Sequence, residues 1–180
     1  MAKVLGDEIT PIGNKQRFVC KSLYNQRLAS DPSTQKLKLE MQEMNRIFSG
    51  INQEFSQLKK QADLVKLAIK ATPNSTPEMM KQVLVVEQKL DSVNTVLYGN
   101  ESLKKRFEAS PPSLNSRLSN AIYNSWGTHE PPTQTQIDDF KIVQNHIGEV
   151  QQDLKNIKAD LQKLDGELDK IKAAYTPGRN

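Results

Sequence analysis

The sequence is poor in the residues that build reactive centres. It has one cysteine, Cys20, and two histidines, His129 and His146, in 180 residues. A single cysteine permits no internal disulfide, so a small disulfide-stapled scaffold is excluded. Without an HExxH pair or a second cysteine, zinc has no ligand set. Neither GxGxxG nor GxxxxGK[ST] occurs, which removes the two common phosphate-cradling loops, and no GxSxG marks a nucleophilic serine. No apolar run approaches the roughly 18 residues needed to span a bilayer. The start, "MAKVLGDEITPIG", has no apolar stretch of signal-peptide length, so no export signal is expected in this chain.

Aromatic residues make up 6% and hydrophobic residues 36% of the chain, low for a compact globule, whereas charged residues reach 26%. That balance suits long amphipathic helices with wet outer faces. The net charge of +4 is spread out: residues 34–72 hold seven Lys or Arg against four Asp or Glu, and residues 133–180 hold seven against eight. A nucleic-acid groove needs a one-sided basic stripe with stacking aromatics, and Lys104-Lys105-Arg106 is the nearest approach. Neither a nucleic-acid nor a membrane partner is expected. Asp138 and Asp139 are neighbours at a helix start; adjacent helical positions point apart, so they suit the positive end of the helix better than paired acid–base work.

What the chain has in abundance is the heptad. Leu37, Met41, Met44, Phe48, Ile51, Phe55, Leu58, Ala62, Val65 and Ile69 recur at spacings of four and three. A second run joins Met79, Val83, Val86, Leu90, Val93 and Leu97. A third joins Val143, Ile147, Val150, Leu154, Ile157, Leu161, Leu164, Leu168, Ile171 and Tyr175, with Ile137 and Phe140 upstream. Such seams predict left-handed bundle packing. Pro32, Pro73, Pro77, Gly99 and Pro177 punctuate the runs. Asp31, Ser75 (paired with Glu78) and Thr133 (paired with Gln136) read as caps. The apolar "VLVV" at 83–86 predicts contact with more than one neighbour. Gly50, Gly148 and Gly166 interrupt the helices and mark either close packing or bends.

Between the second and third runs lies "SPPSLNSRLSNAIYNSWGTHEPPT", fenced by proline pairs. Leu114, Leu118, Ala121 and Ile122 share one face, so 113–125 is a short helix capped by Ser113. Trp126 at its end either plugs the bundle or, with Tyr123, anchors another domain. "QRFVCKSLYN" reads as a strand or extended arm whose sheet lies elsewhere. The expected fold is all-α: an antiparallel, coiled-coil-like bundle of three long helices (about 32–71, 76–98 and 133–175) plus the short one. It is preceded by an extended arm over 1–30 and ends in a tail at 177–180.

The order of these pieces resembles the C-terminal helical region of bacterial sortilin-like, BNR-repeat β-propeller proteins, often labelled glycosyl hydrolase-like. The resemblance rests on Phe18, Val19, Lys21, Leu23 and Asn25 in the arm, on Pro73, Glu78, Leu97 and Gly99, and on Leu114, Asn115, Arg117 and Leu118. Tyr123, Trp126 and Thr176-Pro177-Gly178-Arg179 complete it. It implies a helical spacer or docking domain behind a propeller that this chain does not contain, with an exported parent. No acid pair for sugar chemistry is present, so no catalytic residue, cofactor or metal is expected. Arg117, Tyr123, Trp126 and Arg179 are the candidate docking surface, with the preceding propeller or β-rich domain as partner. The rival reading is a free-standing coiled-coil adaptor that binds a helical protein partner.

Overall fold

The computed structural model describes residues 2–5, 8–11, 17, 32–127 and 131–174, without the side chains of 2–11 and 124–127. Two short strands, β1 (Ala2–Leu5) and β2 (Glu8–Pro11), pair antiparallel with Ala2 opposite Pro11. The arm expected in "QRFVCKSLYN" and the tail at 177–180 lie outside the described residues, except Arg17.

The rest is an all-α bundle. Helix α1 (Pro32–Ala71) has 40 residues, roughly 60 Å at 1.5 Å per residue. Its heptad seam from Met41 to Ile69 is buried throughout, while Leu37 is half-buried. Thr72 ends the helix by returning its hydroxyl to the Ala68 carbonyl at 2.7 Å. Helix α2 (Pro77–Tyr98) follows after a short link. Its cap is Thr76 rather than the expected Ser75: the Thr76 hydroxyl accepts from the Met79 amide at 3.4 Å. Pro77 takes the first helical position, where its missing N–H costs nothing. Gly99 stops α2 at φ 86°, a conformation that favours glycine.

Helix α3 (Glu101–Lys105) is a single turn that the heptad pattern does not announce. Helix α4 (Leu114–Gly127) starts at Ser113, whose side-chain oxygen accepts from the Ser116 amide at 3.3 Å. Helix α5 (Gln134–Lys170) opens with the expected capping box of Thr133 and Gln136. It stops at Lys170, short of the expected 175. The chain turns left-handed at Lys172 (φ 53°), and the Ala173 amide closes back on the Leu168 carbonyl at 3.0 Å. This six-to-one closure, with Lys172 bonded to Asp169, caps the helix ahead of the last seam position.

Side-chain partners define the helix directions. Lys66 meets Glu87 and Asn52 meets Tyr98, so α2 runs antiparallel to α1. Gln61 meets Asp165, while Gln144 sits with Leu39 and Ile47, so α5 runs parallel to α1. At 22 residues, α2 reaches only about half-way along α1, to the level of Asn52. There α4 takes over as the third rod. It points the same way as α2, because Arg117 and Asn120 meet Asp139 while Leu114 lies near His146. α1 and α5 are continuous; the third position is filled in relay. The core runs through both sections, from Met41 and Phe140 to Ile69 and Leu168. Full burial of each such side chain contributes about 1.5–3 kcal/mol, most of it offset by ordering the chain.

"VLVV" lies on a helix that meets more than one neighbour, as expected, since α2 packs on both α1 and α5; Val83 and Val86 are buried, and Leu84 and Val85 remain 42% and 49% exposed. Gly50, Gly148 and Gly166 mark no close packing, since a Cβ at each would have nothing within 4 Å.

Candidate functional site

The relay point is where the bundle departs from a plain coiled coil. The polar side chains around it tie helices together. Arg117, on the first turns of α4, donates from Nη1 to Asp139 Oδ1, and Asn120 donates to Asp139 Oδ2 at 2.7 Å. Both members of the ion pair are largely buried, with side chains 21% and 14% exposed. The carboxylate is therefore held by two donors on α4, a clamp that fixes α4 onto α5. The guanidinium of Arg117, one of the residues of the candidate docking surface, is engaged in this clamp. Asp139 takes the structural role, while Asp138 accepts from Gln134 on its own helix.

Tyr123 does present itself to solvent, at 82% exposure. It lies on the opposite side of α4 from Leu114, Leu118 and Ala121, which are buried. Trp126 belongs to α4 by its backbone, but its side chain lies outside the described residues, as does Arg179. The structure thus places Arg117 and Tyr123 on one helix but does not bring them together.

Beside the relay point, the insert between α2 and α4 leaves a groove of about 500 Å³. Its walls include Val96, Leu103, Pro111, Leu114 and Ile142, with His146 at the edge. His146 Nδ1 lies 3.1 Å from Glu149 Oε2 on an exposed face. Asn100 caps α3 by accepting from the Ser102 and Leu103 amides at 2.9 and 3.2 Å. The α3 turn ends in the same six-to-one closure seen after α5, here from Glu108 to Leu103. This puts Phe107 at φ 56° and leaves it 98% exposed. Lys104, Lys105 and Arg106 precede it, with Lys104 donating to the Tyr98 carbonyl and Arg106 pairing with Glu108 at 3.0 Å.

Sequence reasoning missed Phe107, whose one signal was a large aromatic outside any apolar period, just before Pro111-Pro112. It also missed Asp165, which is 6% exposed on α5 and accepts from Gln61 Nε2 at 2.8 Å. A second groove, about 400 Å³, is lined by Leu39, Met44 and Ile47 together with Lys36, Glu40, Glu43 and Gln144, and Lys36 pairs with Glu40 at 3.9 Å. Arg46 bonds Glu43 and holds its carboxyl below the usual range. Among the described residues no three His, Cys, Asp or Glu side chains gather as a metal site. No helix there is long and apolar enough to cross a membrane.

No family model, curated protein or solved structure matches the chain.

Proposed function

We propose that this chain is a non-catalytic helical spacer and docking domain. On the order of its motifs, it stands behind the propeller of a sortilin-like BNR-repeat protein. The observation that carries the spacer reading is the relay: two helices of 40 and 37 residues share one apolar seam along their length, with α2 and then α4 completing it. A rod built this way resists bending, because flexing it would open packed side chains on several helices at once. The polar groups at the relay are engaged in caps and interhelix bonds, which supports a role in positioning rather than reaction. Exposed Tyr123 and Phe107 supply contact area for a neighbour. The same exposed aromatics favour the second reading, a free-standing adaptor for a protein partner.

Spin labels on Gln35→Cys and Asn74→Cys, in a Cys20→Ser background, test the rod directly. One narrow distance distribution near 60 Å is expected from the helical rise; a broad one sinks the spacer. The parent is tested by the reading frame upstream of Met1. An in-frame propeller supports the docking-domain reading. A ribosome-binding site directly before Met1 overturns it and leaves the adaptor. Glycosidase assays on the chain should be blank, and turnover that purifies with it would overturn the non-catalytic reading.

A further inference from the structure

Three links join the rods, and they differ in chemistry. Between α1 and α2, residues 72–76 read "TPNST"; between α4 and α5, residues 128–133 read "THEPPT". Neither holds a lysine or an arginine. The link between α2 and α4 holds Lys104-Lys105-Arg106, the one run of three basic residues among the 25 Lys and Arg of the chain. It is also the longest exposed run among the described residues: 104–109 are exposed one after another, and α3 buries no residue. The other adjacent basic pair, Lys59-Lys60, is exposed too, but it lies within the 40-residue helix α1 between buried Leu58 and Ala62.

Little holds the α3 turn in its helical form. A few main-chain bonds close it, among them Glu108 to Leu103 at 3.0 Å. The Arg106–Glu108 pair stands in water, with side chains 63% and 50% exposed, so screening leaves it little strength. The closure also puts Phe107 at φ 56°, where a bulky side chain is disfavoured. Drawing the chain out relieves that strain. A protease takes its substrate as an extended strand, and exposed links that open locally are where cleavage starts. Presenting Lys59-Lys60 in the same way would mean opening α1 and its seam.

We propose that the Arg106–Phe107 bond is a processing site for an endoprotease whose acidic pockets take two successive basic side chains, Lys105 and Arg106, and that the cut rod stays folded as two chains. Water adds across the amide: the C–N bond breaks, Arg106 gains the carboxylate and Phe107 the free amino terminus. Residues 1–106 keep α1 with α2, and residues 107–180 keep α4 with α5. Neither the Tyr98–Asn52 bond nor the Arg117–Asp139 clamp is divided. The apolar seam, with Gln61–Asp165 and Lys89–Asp160, then holds one chain on the other. Association of two chains replaces an internal link, so the stability of the cut rod depends on concentration. The inference stands apart from the spacer and parent readings, since an uncut rod satisfies those equally well.

Limited digestion of the full chain with a dibasic-specific serine endoprotease, read by mass spectrometry, tests it. Fragments 1–106 and 107–180 are expected. Cutting after Lys60 should be about 100-fold slower or more, because it waits on a rarer opening. Lys105→Gln with Arg106→Gln should abolish the cut after residue 106 and leave helix content and melting temperature unchanged. On a sizing column the cut protein should run as one particle of the uncut size, with its helical circular dichroism intact. Its urea midpoint should rise with protein concentration, while that of the uncut chain stays fixed. Cutting after Lys60 as fast as after Arg106, or no cut until urea unfolds the chain, overturns the site. Fragments that part on the column without denaturant, or that lose the helical signal, overturn the two-chain rod.

Discussion

The two sections of the rod are held by different means. Where α2 is the third helix, the hairpin link at 72–76 keeps it beside α1, and polar pairs tie it to both neighbours. Lys66 meets Glu87 at 2.6 Å with both side chains mostly covered, Tyr98 meets Asn52 at 2.7 Å, and Lys89 meets Asp160 at 2.7 Å. Where α4 is the third helix, it spans only 14 residues and hangs from an insert, fixed to α5 by the Asp139 clamp. The apolar seam is buried in both sections, with Leu37 half-buried at the α4 end. Burial alone therefore does not distinguish them; tethering and local contacts do. The α4 section is where opening should begin, since its third rod is the shorter, 14 residues against 22, and short local units open at lower free energy than the global transition.

The largest expected effect asks whether the two sections are one cooperative unit. Leu161 is 0% exposed in the α2 section. Leu161→Asp buries a charge without a partner, at about 5 kcal/mol or more, comparable with the whole stability of a domain of this size. Because α1 and α5 run through both sections, the helical circular-dichroism melt should vanish altogether. If about half of the helix survived with its own transition, the sections would be independent.

Arg117→Ala should then separate them. It leaves Asp139 mostly buried with Asn120 as its remaining α4 donor, a loss of about 2 kcal/mol. Amide exchange should quicken across 114–123 and the facing 34–51 and 136–150, and stay slow across 79–97. Equal quickening in α2 would mean that the clamp supports the whole rod.

Tyr98 sits at the junction, and burial pushes its phenol above the ordinary tyrosine value of 10.0. The folded state thus holds the proton more tightly than the unfolded one. Its contribution is complete below the unfolded pKa and is lost as pH rises through the folded one, above about pH 10. Tyr98→Phe loses the bond to Asn52, about 1 kcal/mol at neutral pH. The gap between wild type and variant in urea midpoint should narrow from pH 8 to pH 11; a constant gap would show that the phenol does not titrate within the fold.

Much of this comparison was readable in advance, and the reasons are local. Heptad spacing marked α1, α2 and α5 because the bundle buries one stripe per helix, and Pro73, Gly99 and Thr133 act on their own backbone neighbours. Which rod lies beside which was not readable, because a seam names a buried face but not its partner. Hence Arg117 looked available while its partner, Asp139, stood 22 residues away. Tyr123 was legible as an exposed aromatic because Leu118 and Ala121 define the opposite, buried face. Asp165 was hidden beside Leu164 at the margin of a seam, where period alone does not tell burial from exposure. The end of α5 was misplaced for the same kind of reason. Ile171 and Tyr175 continue the period, but the helix terminates through a left-handed lysine that no composition rule marks.

That lysine carries the smallest prediction. At φ 53°, Lys172 pays the Cβ penalty that glycine avoids, about 1 kcal/mol. Replacing it with glycine also frees the unfolded chain, which offsets part of the gain. Lys172→Gly should therefore stabilise by about 0.5 kcal/mol, a rise of about 1–2 °C in Tm for a chain of this length. The gain belongs to the α2 section, since Ala173 packs at the Leu168 end of the core. It should slow exchange at 161–170 and leave the Arg117 clamp unchanged. A fall in Tm would mean that the unfolded chain gains more freedom than the helix end is relieved of strain.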